Sequence, residues 1–183
     1  MAEYPGSTSR DYTFVSSGSV ADQKGSLVNI AVAAGQHHCI QRCDFSYDGA
    51  IAVAGELTIG LAATVISVAT NEITVANATG FAAEDVPLLI DVDAAAGHIQ
   101  NTTGKKITAV NETTNVLTFE AGHTLVAGDV IIKVEYMLYV TGGGPGPLIG
   151  NDTPLFIGNK GAGVGIWLKE IAETKSRLNV LYY

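Results

Sequence analysis

Charged residues are scarce in this chain of 183 residues, where they make up 15% of the composition. Ten residues are Lys or Arg and 18 are Asp or Glu, so the formal net charge is −8. Nucleic-acid binding needs clustered basic residues that neutralise phosphates. Because the longest basic run is Lys105-Lys106, we expect no nucleic-acid partner.

Low charge stands beside a hydrophobic content of 47%. A lone monomer would have to cover its surface with Thr, Ser, Asn and Gly instead of charged side chains. Burial of apolar surface by other subunits is the simpler explanation. We therefore predict a homo-oligomer, with a trimer favoured over a dimer.

Cysteine is also scarce, since Cys39 and Cys43 are the only two in the sequence. Residues four apart on a strand lie roughly 13 Å from each other. That separation exceeds the Cα distance that a disulfide tolerates. We expect two free thiols on a strand, reactive only after unfolding, as is typical of a reducing compartment.

Long apolar runs are missing as well. No stretch approaches the 18 or so apolar residues of a membrane span, so we expect no membrane partner. The first five residues, MAEYP, have neither the basic region nor the apolar core of a signal peptide. The sequence therefore predicts synthesis in the cytoplasm.

Residues that could carry chemistry form few groups. His37, His38, Cys39, Cys43 and Asp44 resemble a zinc site, but zinc usually takes a second ligand pair, and there is no second cysteine pair. The alternative is that the cysteines are small buried hydrophobes and the histidines are turn residues. We expect no metal and no cofactor.

Two further groups of residues could form binding sites. Glu84, Asp85, Asp91 and Asp93 could offer oxygens to Ca²⁺, but the twelve-residue calcium loop is absent, so a solvated acidic face is favoured. Residues 142–147 (GGGPGP) lack the Lys-Ser/Thr of a phosphate-binding loop. The sequence shows no pair of carboxylates beside an aromatic platform, so nothing in it suggests a glycosidase. We expect no enzyme and no catalytic residues.

A repeat is the strongest positive feature of the sequence. Residues 65–86 recur about 44 positions later, with two extra residues in one turn of the second copy. One copy cannot bury its apolar face alone, whereas a pair can, so repeats of this kind are structural. The matched positions are Asn71, Ile73, Thr74, Val75, Phe81, Ala83, Asp85 and Val86 with Asn115, Leu117, Thr118, Phe119, Leu125, Ala127, Asp129 and Val130.

Short β-branched runs separated by glycine turns predict an all-β protein with a sandwich or barrel. Residues 1–26 predict an extended arm that orders only against another molecule. Residues 27–61 and 133–183 predict one domain, which residues 62–132 interrupt as an inserted module of two repeats. Residues 166–175 could also be drawn as a helix, although a strand is favoured.

Several segments resemble small jelly-roll proteins of tailed-bacteriophage virions. Residues 45–50 (FSYDGA) and 55–59 (GELTI) resemble their central hairpin, and residues 162–165 and 176–183 resemble their last strand pair. Residues 153–155 lie where that family has a Pro-containing turn. The repeats separately resemble the I-x-x-V, N-x-I-T-V and A-x-D-V units of phage head and tail accessory proteins.

This resemblance implies a jelly-roll-like β-sandwich and a non-enzymatic structural role on a virion. The implied role is a capsid decoration (cement) protein on the capsid surface, with the major capsid protein as its partner. Synthesis would take place in the host cytoplasm. The alternative is a carbohydrate- or receptor-binding module of a fibre or tail, which has little residue support because sugar sites expose Trp or Tyr and the single Trp167 lies in a predicted internal strand.

Overall fold

The structure is a computed structural model that describes residues 13–18, 25–31, 34–48, 54–92, 99–101, 105–140, 146–150, 153–169, 171 and 175–183. Its regular elements are fourteen β-strands. They are β1 Thr13–Gly18, β2 Ser26–Ile30, β3 Cys39–Asp48, β4 Gly55–Val68, β5 Glu72–Val75, β6 Leu88–Asp91, β7 Ile99–Asn101, β8 Ile107–Asn111, β9 Val116–Phe119, β10 Val130–Val140, β11 Gly146–Ile149, β12 Phe156–Ile157, β13 Gly163–Leu168 and β14 Lys175–Tyr182. In the described part of the chain no helix is long and apolar enough to cross a membrane.

Nine of these strands form two facing sheets. The first sheet has the order β1-β14-β3-β11, with β12 also on β3, and the second contains β2-β13-β4-β10. Along the chain, β1 to β4 alternate between the two sheets, and β10, β11, β13 and β14 alternate again. Two such antiparallel Greek keys make a jelly roll. The prediction of an all-β, jelly-roll-like sandwich is confirmed.

Alternating burial along β3 shows how the sandwich core forms. Cys43, Phe45 and Tyr47 point inward, as the period-two pattern predicts. The same pattern also places Cys39 on this face, but this is wrong, because Ile40 is buried in its place while Cys39 is partly exposed. The cause is a register shift against β14 between Leu181 and Tyr182, which inserts one residue into β3 and reverses the alternation.

The segment predicted as an arm contains a strand. β1 pairs with β14 of the same chain, from Thr13 opposite Tyr182 to Gly18 opposite Arg177. For these six residues the arm prediction is corrected, since their backbone groups are paired within the protein. Of the rest of the predicted arm, residues 1–12 and 19–24 lie outside the described residues. Residues 166–168 lie in β13, so the strand reading of that segment holds.

The two repeats pair with each other about a local two-fold axis. The equivalent residues Ile73 of β5 and Leu117 of β9 stand opposite each other and are both fully buried. In both copies the strand pairing shifts register directly after its first residue, which is Val65 in β4 and Ile107 in β8. The flanking hydrogen bonds are also equivalent: Val75 N donates to Asn115 O (2.9 Å), and Phe119 N donates to Asn71 O (2.7 Å).

The acidic turns of the two repeats are also equivalent. Asp85 Oδ2 accepts from Ala82 N (2.7 Å), and Asp129 Oδ2 accepts from Val126 N (2.8 Å). Each turn then binds the first strand of the other copy, because Ile107 N donates to Asp85 O and Val65 N donates to Asp129 O, both at 2.8 Å. The copies therefore complete each other, as the repeat pattern predicts for units that cannot bury their apolar faces alone.

β4 and β10 run through both the sandwich and residues 62–132, which we call the repeat module. The sandwich core includes Leu57 and Ile59 of β4, whereas Ala63 and Val65 of the same strand belong to the core of the repeat module. A third buried cluster lies on the face of the second sheet opposite to both cores, because its residues alternate along their strands with residues of those cores; it consists of Ala62, Ile90, Val130, Ile132 and Trp167. The predicted domain boundaries at residues 62 and 132 stay a prediction.

Close contact between β4 and β10 leads to a prediction about Gly60. A Cβ atom on Gly60 would lie 1.9 Å from the carbonyl oxygen of Lys133. We expect Gly60→Ala to lower the free energy of unfolding by about 1–3 kcal/mol or more, because strand backbone must move. Gly122→Ala is the matched control, since its nearest neighbour would be 3.4 Å away. Urea unfolding measures both variants, and equal stabilities would contradict the prediction.

Candidate interaction surface

The histidine and cysteine cluster is divided by the fold. A ring N–H of His37 (Nδ1) donates to Gly158 O at 2.7 Å, and His38 Nε2 donates to Ala31 O at 2.8 Å. Cys43 faces the core, whereas the Asp44 carboxylate points outward and pairs with Arg42 at 2.8 Å. In the part of the chain that the structure describes, no three potential ligands converge on a metal site. The two histidines hold the backbone around β3.

The two thiols have different environments. Cys43 is fully buried, and burial, with a smaller contribution from the neighbouring Asp44 charge, raises the pKa of its thiol to about 12. A thiol with so high a pKa supplies almost no thiolate at neutral pH. Cys39 lies partly exposed at the start of β3, opposite Ile157 of β12. The expectation that both thiols react only after unfolding therefore fits Cys43 but not Cys39.

The acidic residues are used in turns and ion pairs. Asp85 pairs with Lys133 Nζ at 3.1 Å, and Glu84 pairs with Lys106 Nζ at 3.0 Å. The hydrogen bond from Lys106 to Glu84, together with its charge, raises the pKa of Lys106. Asp93 lies outside the described residues. These contacts stabilise the turns of the repeat module.

Asp129 is a structural residue whose role the sequence did not reveal. It is fully buried, and its Oδ1 accepts from Val92 N at 2.9 Å in addition to the bond from Val126. The sequence signal was present, because Asp129 is the repeat counterpart of Asp85. What the sequence lacked was the burial, which arises where β6 and β10 pair.

Trp167 offers no surface for a ligand. It is fully buried in the third cluster, and its ring lies so close to Gly25 that a Cβ there would be 2.1 Å from it. Sugar-binding sites expose an aromatic face on which a ring can stack. Trp167 is therefore not such a site.

The most distinctive surface feature is one edge of β10. β4 pairs with β10 along its whole length on one side, but on the other side β6 covers only Val130 to Ile132. Among the described strands, none pairs with that side of residues 133–140, which we call the open edge. The large exposed side chains on it are Tyr136 (38% exposed), Met137 (40%) and Tyr139 (66%).

The open edge differs in its residue types from the two outer strands of the first sheet. β11 contains Gly146 and Pro147, and β1 ends in Gly18, residue types that weaken strand pairing. Proteins usually protect edges with Pro, charged residues such as Lys, bulges or short strands. The start of the open edge has Lys133, Glu135 and a register shift between Val134 and Tyr136, whereas residues 136–140 (YMLYV) have no Pro and no charge. In the sequence, the sign of this surface is the absence of protecting residues, and that absence becomes informative only once the strand is known to lie at the edge of a sheet.

Comparison with known proteins adds little to this geometry. No family model matches the chain, and no curated protein matches it. Among solved structures, the chain is similar to one described as the VP16-VP17 complex, a complex of the two major capsid proteins of bacteriophage P23-77. The identity is 13%, the match covers 94% of this chain and 98% of that chain, and the TM-score is 0.26. A TM-score this low carries no argument about fold or function.

The two thiols generate a second prediction. In the native protein at neutral pH, a thiol reagent should modify Cys39 and leave Cys43 unmodified, because Cys43 is buried and its pKa is raised to about 12. In denaturant both should react. Counting released chromophore in the two conditions gives the number of reactive thiols.

Single substitutions identify which thiol reacts. Cys39→Ser should abolish native labelling, whereas Cys43→Ser should leave it unchanged. Rapid modification of Cys43 in the folded Cys39→Ser variant would contradict the burial of this side chain. The raised pKa of Cys43 also makes the stability of the fold depend on pH. The stability that comes from burying the neutral thiol is fully present below the unfolded pKa, near 9, and is lost as pH rises towards 12.

Proposed function

We propose that the protein is a non-enzymatic structural protein of a tailed-phage virion, and that it acts as a capsid decoration protein. It binds the outer face of the capsid and stabilises contacts between subunits of the major capsid protein. It works as a homo-oligomer on the capsid surface after synthesis in the host cytoplasm.

The observation that carries this proposal is where the family-like segments fall in the fold. Residues 45–48 end β3 and residues 55–59 begin β4, so the two form consecutive strands of the jelly roll. Residues 163–165 and 176–182 lie in β13 and β14, the last two strands. The segments named from the sequence therefore fall on consecutive strands of a jelly roll, which supports the proposal. β3 and β4 lie in different sheets, however, and so do β13 and β14, so the hairpin and the strand pair of the resemblance are not formed.

The rival function is a carbohydrate- or receptor-binding module of a fibre or tail. A jelly roll supports either role, so the fold does not decide between them. Sugar sites expose Trp or Tyr faces, and the single Trp167 is fully buried, whereas Tyr136 and Tyr139 are exposed on the open edge. We favour capsid binding because the resemblance implies it, and we keep adsorption to the host as the second measurement of the test.

The arm provides the test. Residues 1–12 precede β1, so their removal leaves β1 and its pairing with β14 in place. We expect the shortened protein to fold normally but to load poorly onto capsids that lack the protein, because an arm along the capsid adds contact area without a core. Loaded capsids are separated by sedimentation and the bound protein is quantified on gels.

Particle heat resistance and host adsorption are measured on the same capsids. Decoration predicts that particles with the shortened protein lose heat resistance while adsorption stays unchanged. Normal loading together with lost adsorption would support the receptor-binding function instead. Circular dichroism of the shortened protein is the control that separates lost binding from lost folding.

A further inference from the structure

We propose that the open edge of β10 binds the same edge of a second copy of this chain, so that the second sheet continues across two copies. This inference names the self-association surface and rests on the proposed homo-oligomer. Strands that pair through identical edges are antiparallel and related by a two-fold axis. The contact therefore joins two copies, in place of the trimer expected from composition.

Backbone geometry is the first argument. The open edge is eight residues long, so it extends for about 27 Å at the usual rise of a strand. β4 satisfies the backbone groups on the inner side of β10, and β6 ends its pairing at Ile132. Lys133 and the register shift between Val134 and Tyr136 protect the start of this edge, but residues 136–140 have neither, and an unprotected stretch of strand is a template for another strand.

Side chains on both faces of the open edge suit a contact between proteins. Met137 and Tyr139 are two apart, so they lie on the face of the sheet opposite to that of Leu138, which packs against the sandwich core. Tyr136 lies on the same side as Leu138. Tyrosine and methionine are enriched in protein interfaces. A second strand would cover apolar side chains on both faces.

Charge makes a second copy the best occupant. The chain carries a net charge of −8, so two copies repel each other over most of their surfaces. Residues 136–140 are uncharged. Of the nearest acidic side chains, Glu56, opposite Tyr139, lies 3.8 Å from Lys169 Nζ, and Glu135 lies 3.9 Å from Lys133 Nζ, which is closer to Asp85 (3.1 Å). Residues 136–140 are thus a stretch where two acidic copies can approach with little repulsion.

The test uses a charge placed on the open edge. Tyr139→Lys should weaken self-association about tenfold or more, because an edge lysine blocks strand addition. Ile157→Lys is the matched control, since Ile157 is also an exposed apolar side chain (56%) but lies on β12 of the first sheet. Sedimentation velocity over a wide concentration range gives the mass and the dissociation constant of each protein.

Amide hydrogen exchange of the wild-type protein does not depend on a variant. Protection of residues 133–140 should rise with protein concentration, whereas protection of β11 should stay constant. A wild type that is monomeric at all concentrations, a trimer, or an oligomer that Tyr139→Lys leaves intact would each overturn the inference.

Capsid loading separates this inference from the proposed function. If the wild-type protein is monomeric but Tyr139→Lys reduces its loading onto capsids, the open edge binds another virion protein. Self-pairing would then be wrong, while decoration would stand. Dimers that form through the open edge but never bind capsids would support the inference and reject decoration.

Discussion

The fold depends on β4 being one continuous strand of fourteen residues. Its first half pairs with β13 and β10 in the sandwich, and its second half pairs with β5 in the repeat module. Because side chains alternate along a strand, any shift of β4 would move apolar residues out of both cores together. The close approach at Gly60 fixes the position of β10 against it. One strand thereby sets the register of two hydrophobic cores.

The repeat module satisfies this constraint through its internal symmetry. Its two copies exchange acidic turns, so that the turn at Asp129 binds β4 while the equivalent turn at Asp85 binds β8. The symmetry ends where the sandwich begins. Val130 is buried in the third cluster, whereas its counterpart Val86 is 58% exposed. The same local sequence is thus used once as an attachment to the sandwich and once as an outer surface.

Sequence patterns predicted the features that depend on local alternation and on the repeat. They predicted the all-β class, the inward residues Cys43, Phe45 and Tyr47, and the pairing of equivalent repeat positions. They failed where a contact distant in sequence decides the outcome. The register shift that exposes Cys39 depends on pairing with β14, and the strand formed by residues 13–18 depends on the same partner. Burial of Asp129 and exposure of Tyr139 likewise depend on which strands cover β10, and composition does not encode this.

The repeat module also determines how much of β10 is accessible. β10 is the outer strand of the jelly-roll part of the second sheet. β6 and β7 of the repeat module extend the sheet beside Val130 to Ile132 and then end. Because Ile132 stands opposite Leu88, Lys133 would come next opposite Pro87, which cannot donate a ladder hydrogen bond. Pro87 therefore removes one of the bonds by which β6 could cover more of β10, and the open edge begins at this position.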